Sequence, residues 1–301
     1  MVKNRLAGHL GVATTYIIFG LNIVICKDMA NSASIPPIVL FTLRAAGAAL
    51  LFWLISLFLP REKVGAGDLW KIAAAAVAGM FIPQMTFLTA ITMATSIDTA
   101  VLGTLSPIFT MFFAFFFVKE PITFKKAGGV ALSFAGVICL IFNSVHSGGA
   151  STTTPTGAIL LLLNGLSFAF YLGLFRPLIS RYSVVTFMKW VFLFSLVLSL
   201  PFSAKGLIST DFRAIPGNVL WEIGYLIFFA TFVAYFTLPI GQKQLRPTVV
   251  SMYTYLQPVI AAAVSIWTGL DTLGWKKIIS TVLIVGGVIM VNRSRAAETK
   301  P

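Results

Sequence analysis

Residues 69–90 read LWKIAAAAVAGMFIPQMTFLTA, and residues 220–241 read LWEIGYLIFFATFVAYFTLPIG. Laid on each other, they match Leu69-Trp70 with Leu220-Trp221, Ile72 with Ile223, Phe81 with Phe232 and Thr86 with Thr237. Each is an apolar run long enough to cross about 30 Å of hydrocarbon at about 1.5 Å per residue. The interval of 151 residues then holds without a gap from Leu69 through Ile138. Pro107 falls on Pro258, Lys125-Lys126 on Lys276-Lys277, and Gly136-Val137-Ile138 on Gly287-Val288-Ile289. Apolar identities carry little weight in such a chain, but aligned Trp, Pro, Lys-Lys and Gly mark an internal repeat. Glu120 meeting Asp271 adds a shared acidic position.

Outward from the repeat, the composition agrees with a membrane protein. Of 301 residues, 58% are hydrophobic and 10% charged, against about 25% charged in soluble domains. Windows of about 19 residues give ten helices, at 10–27, 35–59, 69–91, 97–118, 126–143, 157–175, 183–203, 218–240, 248–268 and 275–292. Ser34 ahead of Pro36-Pro37, and Asp68 ahead of Leu69-Trp70, supply helix starts. The fold class is an all-α membrane protein with ten transmembrane helices arranged as two inverted five-helix repeats. The first repeat covers 1–143, a Ser/Thr/Gly linker on the outer side 144–156, the second repeat 157–292, and a cytoplasmic tail 293–301. The N-terminal run after Lys3 and Arg5 matches the start of the second half, so it reads as a span and not as a cleaved signal peptide.

Charge sets the orientation. The net charge of +13 lies in short connections and not in a stripe with interleaved aromatics, so nucleic acid is excluded as a partner. With the N-terminus inside, fifteen of the 22 Lys and Arg residues fall on the inner side, against Lys27, Lys205, Arg213, Lys276 and Lys277 outside. Both termini are therefore expected in the cytoplasm, in a multi-pass protein of the cell (inner) membrane. Five helices per half make the second half enter from the opposite side, the inverted repeat on which many secondary transporters build alternating access.

The chain has a family likeness over essentially its whole length, and a few motifs carry it. Gly103-Thr104-Leu105-Ser106-Pro107, Lys119-Glu120-Pro121-Ile122-Thr123-Phe124-Lys125-Lys126-Ala127-Gly128-Gly129 and Gly136-Val137 resemble the EamA type of the drug/metabolite transporter superfamily. Its halves carry a Pro in the fourth helix, a Glu-containing turn and a Gly-rich fifth helix. The second half departs, with Leu270-Asp271-Thr272 for the Lys-Glu-Pro turn and Ile279-Ser280 for Gly128-Gly129. The resemblance implies transport, commonly outward, of amino acids, other small metabolites or drugs. The expected function is thus an exporter or facilitator of small metabolites, with multidrug efflux or an intramembrane enzyme as alternatives.

Polar groups within hydrocarbon are costly unless they face a cavity or a partner, so they are the candidate substrate contacts. Arg44 sits about 13 Å into its helix at helical rise, and Lys189 holds a similar place in the second half. Arg44 is expected either to hold a substrate carboxylate by two parallel hydrogen bonds or to bond neighbouring helices as structure. Lys189 is expected to snorkel. Asn22, Gln84, Asn164, Tyr253, Tyr255 and Gln257 serve as ligand contacts or as interhelical hydrogen-bond partners. Pro107 and Pro258, preceded by Ser106 and Gln257, interrupt equivalent helices, either as tolerated kinks or by leaving an unpaired carbonyl to accept from a substrate in a cavity. Asp98 and Glu222 suit caps or interfaces.

No carboxylate or His relay falls deep in a helix, so facilitated diffusion or exchange stands level with proton antiport. His9 and His146 lack metal-ligand or nucleophile spacing, which speaks against an enzyme, a metal site or a cofactor. Cys26 and Cys139 read as small hydrophobes without a disulfide. The partners expected are a small carboxylate-bearing substrate, the lipid bilayer and a second copy of the chain in a homodimer.

Overall fold

The computed structural model describes residues 5–32, 35–94, 99, 102–144, 154–213, 215–267 and 275–294. Residues 145–153 of the 144–156 linker lie outside the described residues, as do Asp98, His146, Asp271 and the tail beyond 294. Among the described residues every regular element is helical.

The rods are α1 (Arg5–Ser32), α2 (Pro37–Ser56), α3 (Ala66–Met93), α4 (Ser106–Val118) and α5 (Phe124–Ser144). They continue with α6 (Pro155–Leu174), α7 (Val184–Ser209), α8 (Gly217–Gln244) and α10 (Trp275–Asn292). Between the last two, α9 runs Pro247–Met252, tightens through a 3₁₀ turn at Tyr253–Tyr255 and resumes as Leu256–Trp267. A short turn, Arg176–Arg181, joins α6 to α7. Six described helices are long and apolar enough to cross a membrane: α1 through Met29, α2, α3, α6, α7 and α8.

Boundaries moved where proline chemistry overrode apolar windows. The helix expected over 97–118 breaks at Thr104-Leu105 and restarts at Ser106, because Pro107 has no N–H to continue a ladder and fits a first turn. Pro258 likewise occupies the first turn after the 3₁₀ segment in α9. Conversely, α7 and α8 run past Pro201 and Pro239 to Ser209 and Gln244.

A second distortion repeats at the interval of the sequence match. Val77–Phe81 in α3 and Phe228–Val233 in α8 are π-helical and begin 151 residues apart. In α3, Ile82 N–H bonds back to the carbonyl of Val77, and the following Pro83 has no N–H. The carbonyl of Ala78 thereby loses its helical donor, and Ser167 of α6 supplies one at 2.7 Å. In α8, Ala234 N–H reaches the carbonyl of Phe229, and Arg44 of α2 donates to the neighbouring carbonyl of Ala230 at 3.4 Å.

Packing follows the same pairing. Helix α2 lies along α7 and α5 along α10, while α1 packs on α8 and α9 as α6 packs on α3 and α4. Exchanging the first five rods for the second five leaves these neighbours unchanged. At the α5–α10 contact a Cβ on Gly129 would stand 2.8 Å from the carbonyl oxygen of Gly287, and one on Gly136 would stand 2.9 Å from that of Ser280. Only glycine lets the backbones approach so closely, the small-residue contact that packs helices in lipid. Trp70 and Trp221, matched by the repeat, are 81% and 76% exposed at the starts of α3 and α8, as interfacial anchors are.

Candidate functional site

Polar side chains from six rods converge on one cavity of about 110 Å³ in the bundle. Its wall takes Tyr16, Phe19 and Asn22 from α1, Pro83, Gln84 and Phe87 from α3, and Leu161, Asn164 and Phe168 from α6. Gly103 and Ser106 border it at the start of α4, Tyr235 lies on α8, and Thr254 and Gln257 lie on α9. The result is a ring of amides and hydroxyls set among three phenylalanine faces. Among the described residues of this wall there is no Asp, Glu, Lys, Arg or His.

The hydrogen bonds inside the wall tie the halves together. Gln84 Nε2 donates to the Tyr235 hydroxyl at 3.1 Å, and Asn164 Nδ2 donates to the carbonyl of Pro83 at 2.7 Å. Asn22 Oδ1 accepts from the Cys26 thiol at 3.6 Å. The Oε1 of Gln84 and the Oγ of Ser106 are buried without a partner among the described residues. Pro107 and Pro258 do not line the cavity, but the carbonyls four residues before them, which they cannot satisfy, belong to Gly103 and Thr254 in the wall. Those two carbonyls stand 151 residues apart.

The structure therefore gathers Asn22, Gln84, Asn164 and Gln257 in one place and leaves Arg44 and Tyr255 out of it. Arg44 is buried between α2 and α8, where its Nε donates to Thr231 Oγ1 at 2.8 Å and its Nη2 to the π-helical turn. This spends two donor nitrogens on neutral groups of the opposite half, and Nη1 has no partner among the described residues. Tyr255 is buried with its hydroxyl 3.5 Å from the carbonyl of Val130, and Tyr253 meets His9 Nδ1 at 2.8 Å. Lys189 lies 4.7 Å over the Trp53 ring, a cation–π contact on the α2–α7 pair. Glu222 is hydrogen-bonded to Asp28 across α8 and α1.

Tyr16, Phe19, Phe87, Phe168 and Tyr235 escaped a search for polar residues because aromatics are common in this chain. The repeat could have found Tyr235, since it is the residue that falls on Gln84.

A second cluster lies at the end where the connections after α2, α4, α6 and α8 gather. Glu62 accepts from Ser183 N–H at 2.9 Å at the start of α7, while Asp68 accepts from the Tyr182 hydroxyl at 2.7 Å and pairs with Arg181. Burial acts to raise the Glu62 pKa, but bonds from the Ser183 backbone and the Thr186 and Ser183 hydroxyls outweigh it and hold the carboxyl below its ordinary range. Glu120 pairs with the buried Lys126 at 2.9 Å and lies 3.9 Å from Arg246. At the opposite end Lys27 caps α3, donating to the carbonyls of Ile91 and Ala94 at 3.0 Å. Among the described residues no three His, Cys, Asp or Glu side chains gather as metal ligands would.

The profile of the EamA-like transporter family matches this chain twice, over residues 6–142 and 155–293. A Bacillus subtilis protein named uncharacterized transporter YetK is 22% identical over 296 residues, covering 96% of this chain and 88% of its own. An uncharacterized transporter of Archaeoglobus fulgidus is 23% identical over 94% of this chain and 98% of its own. The Escherichia coli protein named uncharacterized inner membrane transporter YedA is 25% identical over 62% of this chain and 58% of its own. A solved crystal structure superposes on 93% of this chain and 98% of its own with a TM-score of 0.71 at 17% identity, and so shares the fold.

Proposed function

The chain belongs to the EamA-like transporter family, and on that premise we propose that it exports or equilibrates a small metabolite across the cell membrane. The ten rods act as ten spans in two inverted halves, with both termini and the Glu62, Asp68 and Glu120 cluster on the cytoplasmic side. The halves, joined through the 144–156 linker, rock about the central cavity and expose it to each side in turn.

One observation carries this reading: Gln84 and Tyr235, which the repeat superposes, hydrogen-bond to each other in the cavity wall. A residue that touches its own counterpart lies beside the axis relating the two copies, so the cavity sits on that axis. That is where a site must lie to present the same groups to both sides. The cavity's wall without carboxylates argues for a small metabolite over a cationic drug.

Spin labels at Leu102 and Ile266, near the far ends of α4 and α9, test the motion. Two distance populations whose balance shifts with pH, lipid or added metabolites are expected. A single distance, unmoved across such pairs, sinks the rocking mechanism.

A further inference from the structure

On the carrier reading just given, the cavity wall dictates the charge of what it holds. Tyr235 Oη accepts the Gln84 amide hydrogen, which leaves the Tyr235 hydroxyl proton to be donated elsewhere. Gln84 Oε1 is a buried acceptor without a partner among the described residues, and Ser106 Oγ is a buried hydroxyl in the same condition. An acceptor and a donor thus sit side by side on one bridge between α3 and α8. That pairing matches a group that itself carries a donor and an acceptor, such as an amide, a hydroxyl or a ring N–H.

A charged group fares differently. A carboxylate would meet no cation in the described wall, because Arg44 stands outside it with two donor nitrogens committed to Thr231 and Ala230. An ammonium would meet no carboxylate. Burying an unpaired charge costs far more than burying an uncharged polar group that finds its hydrogen bonds. The apolar remainder of the cargo has Phe19, Phe87 and Phe168 to lie against.

We propose that Gln84 and Tyr235 form the recognition bridge of the cavity, and that it reads an uncharged hydrogen-bonding group on a cargo of zero net charge. Because one member of the bridge comes from each half, a cargo that engages it touches both halves at once. Its binding therefore acts directly on the equilibrium between their arrangements.

Matched pairs of probes that differ in charge and little in shape test this: nicotinamide with nicotinate, and benzamide with benzoate. Thermal melting of the purified full chain in detergent is recorded against the concentration of each. The amide of at least one pair should raise the melting temperature at a concentration at least about tenfold below its acid. Gln84→Ala should remove the preference, and the isosteric Gln84→Glu, which keeps the shape of the wall, should remove it even if the alanine variant folds poorly. Acids that stabilise as well as their amides, four probes without effect, or a preference that survives both substitutions would each overturn the proposal. The spin-label distances keep the two readings apart. Halves that exchange while acids bind best sink the bridge alone, whereas an amide preference in halves that never exchange sinks the carrier alone.

Discussion

Ser133 donates its hydroxyl to the carbonyl of Ile284 at 3.0 Å, and these residues stand 151 positions apart, as Gln84 and Tyr235 do. The α5–α10 contact and the cavity wall thus both contain a residue bonded to its own counterpart. The halves touch in the cavity wall and again in the glycine-lined seam between α5 and α10.

Orientation is the first expectation open to test. In a Cys26- and Cys139-free background, single cysteines at Ser151 and Arg61 should react with an impermeant thiol reagent from opposite faces of the membrane. The basic asymmetry of the connections motivates this. Labelling from one face would remove both the topology and the inversion of the halves.

Arg44 should behave as a structural pin. Its hydrogen bonds to Thr231 and Ala230 fasten α2 of one half to the π-helical turn of the other. Arg44→Lys loses the planar fork, and Arg44→Gln loses the charge as well, so both should lower thermal stability, by about 1–3 kcal/mol. The relative response of the surviving protein to amide and acid probes should not change. A well-folded Arg44→Gln that loses carboxylate binding selectively would restore this residue to substrate contact.

Glu120 is expected to matter more than an exposed ion pair. Lys126 is wholly buried beside it, so Glu120→Gln leaves a cation without its counter-charge. A loss of about 3–5 kcal/mol is expected, read as a lowered melting temperature. Converting Lys126 to Met in the same chain should recover much of it. No recovery in the double variant would mean that the acid acts through some other contact.

Stability should fall on the acid side through Glu62. Its pKa is lowered in the folded state, so its contribution is complete above the carboxyl's ordinary pKa near 4.5 and is lost as pH drops through the lower folded value. Glu62→Gln should therefore flatten the acid limb of a melting-temperature profile and leave the neutral plateau lower. An unchanged acid limb would show that the Ser183 contact does not form in solution.

Much of the fold could be read from the chain because both of its strongest signals are periodic. Apolar runs marked the rods, and the Trp, Pro and Lys-Lys matches marked their duplication. The breaks in α4 and α9 were not legible as breaks, since a hydropathy window averages over Thr104-Leu105 and over Tyr253–Tyr255 while a backbone ladder does not. For the cavity, polarity led to Asn22, Gln84, Asn164 and Gln257, all of which stand in its wall. It led equally to Arg44 and Tyr255, because depth along a helix says nothing about which face turns inward. Only distant packing decides that. The Thr231 side chain awaiting Arg44 lies 187 residues away.

The two π-helical turns have a bearing on descent. A π-helical turn is the mark of one residue let into an α-helix, and α3 and α8 carry it at corresponding places. The simplest history has a single insertion, already present in an ancestral gene half this length and copied when that gene doubled. Such an ancestor would have met a second copy of itself, and the pairing of Gln84 with Tyr235 would descend from a contact between two identical residues.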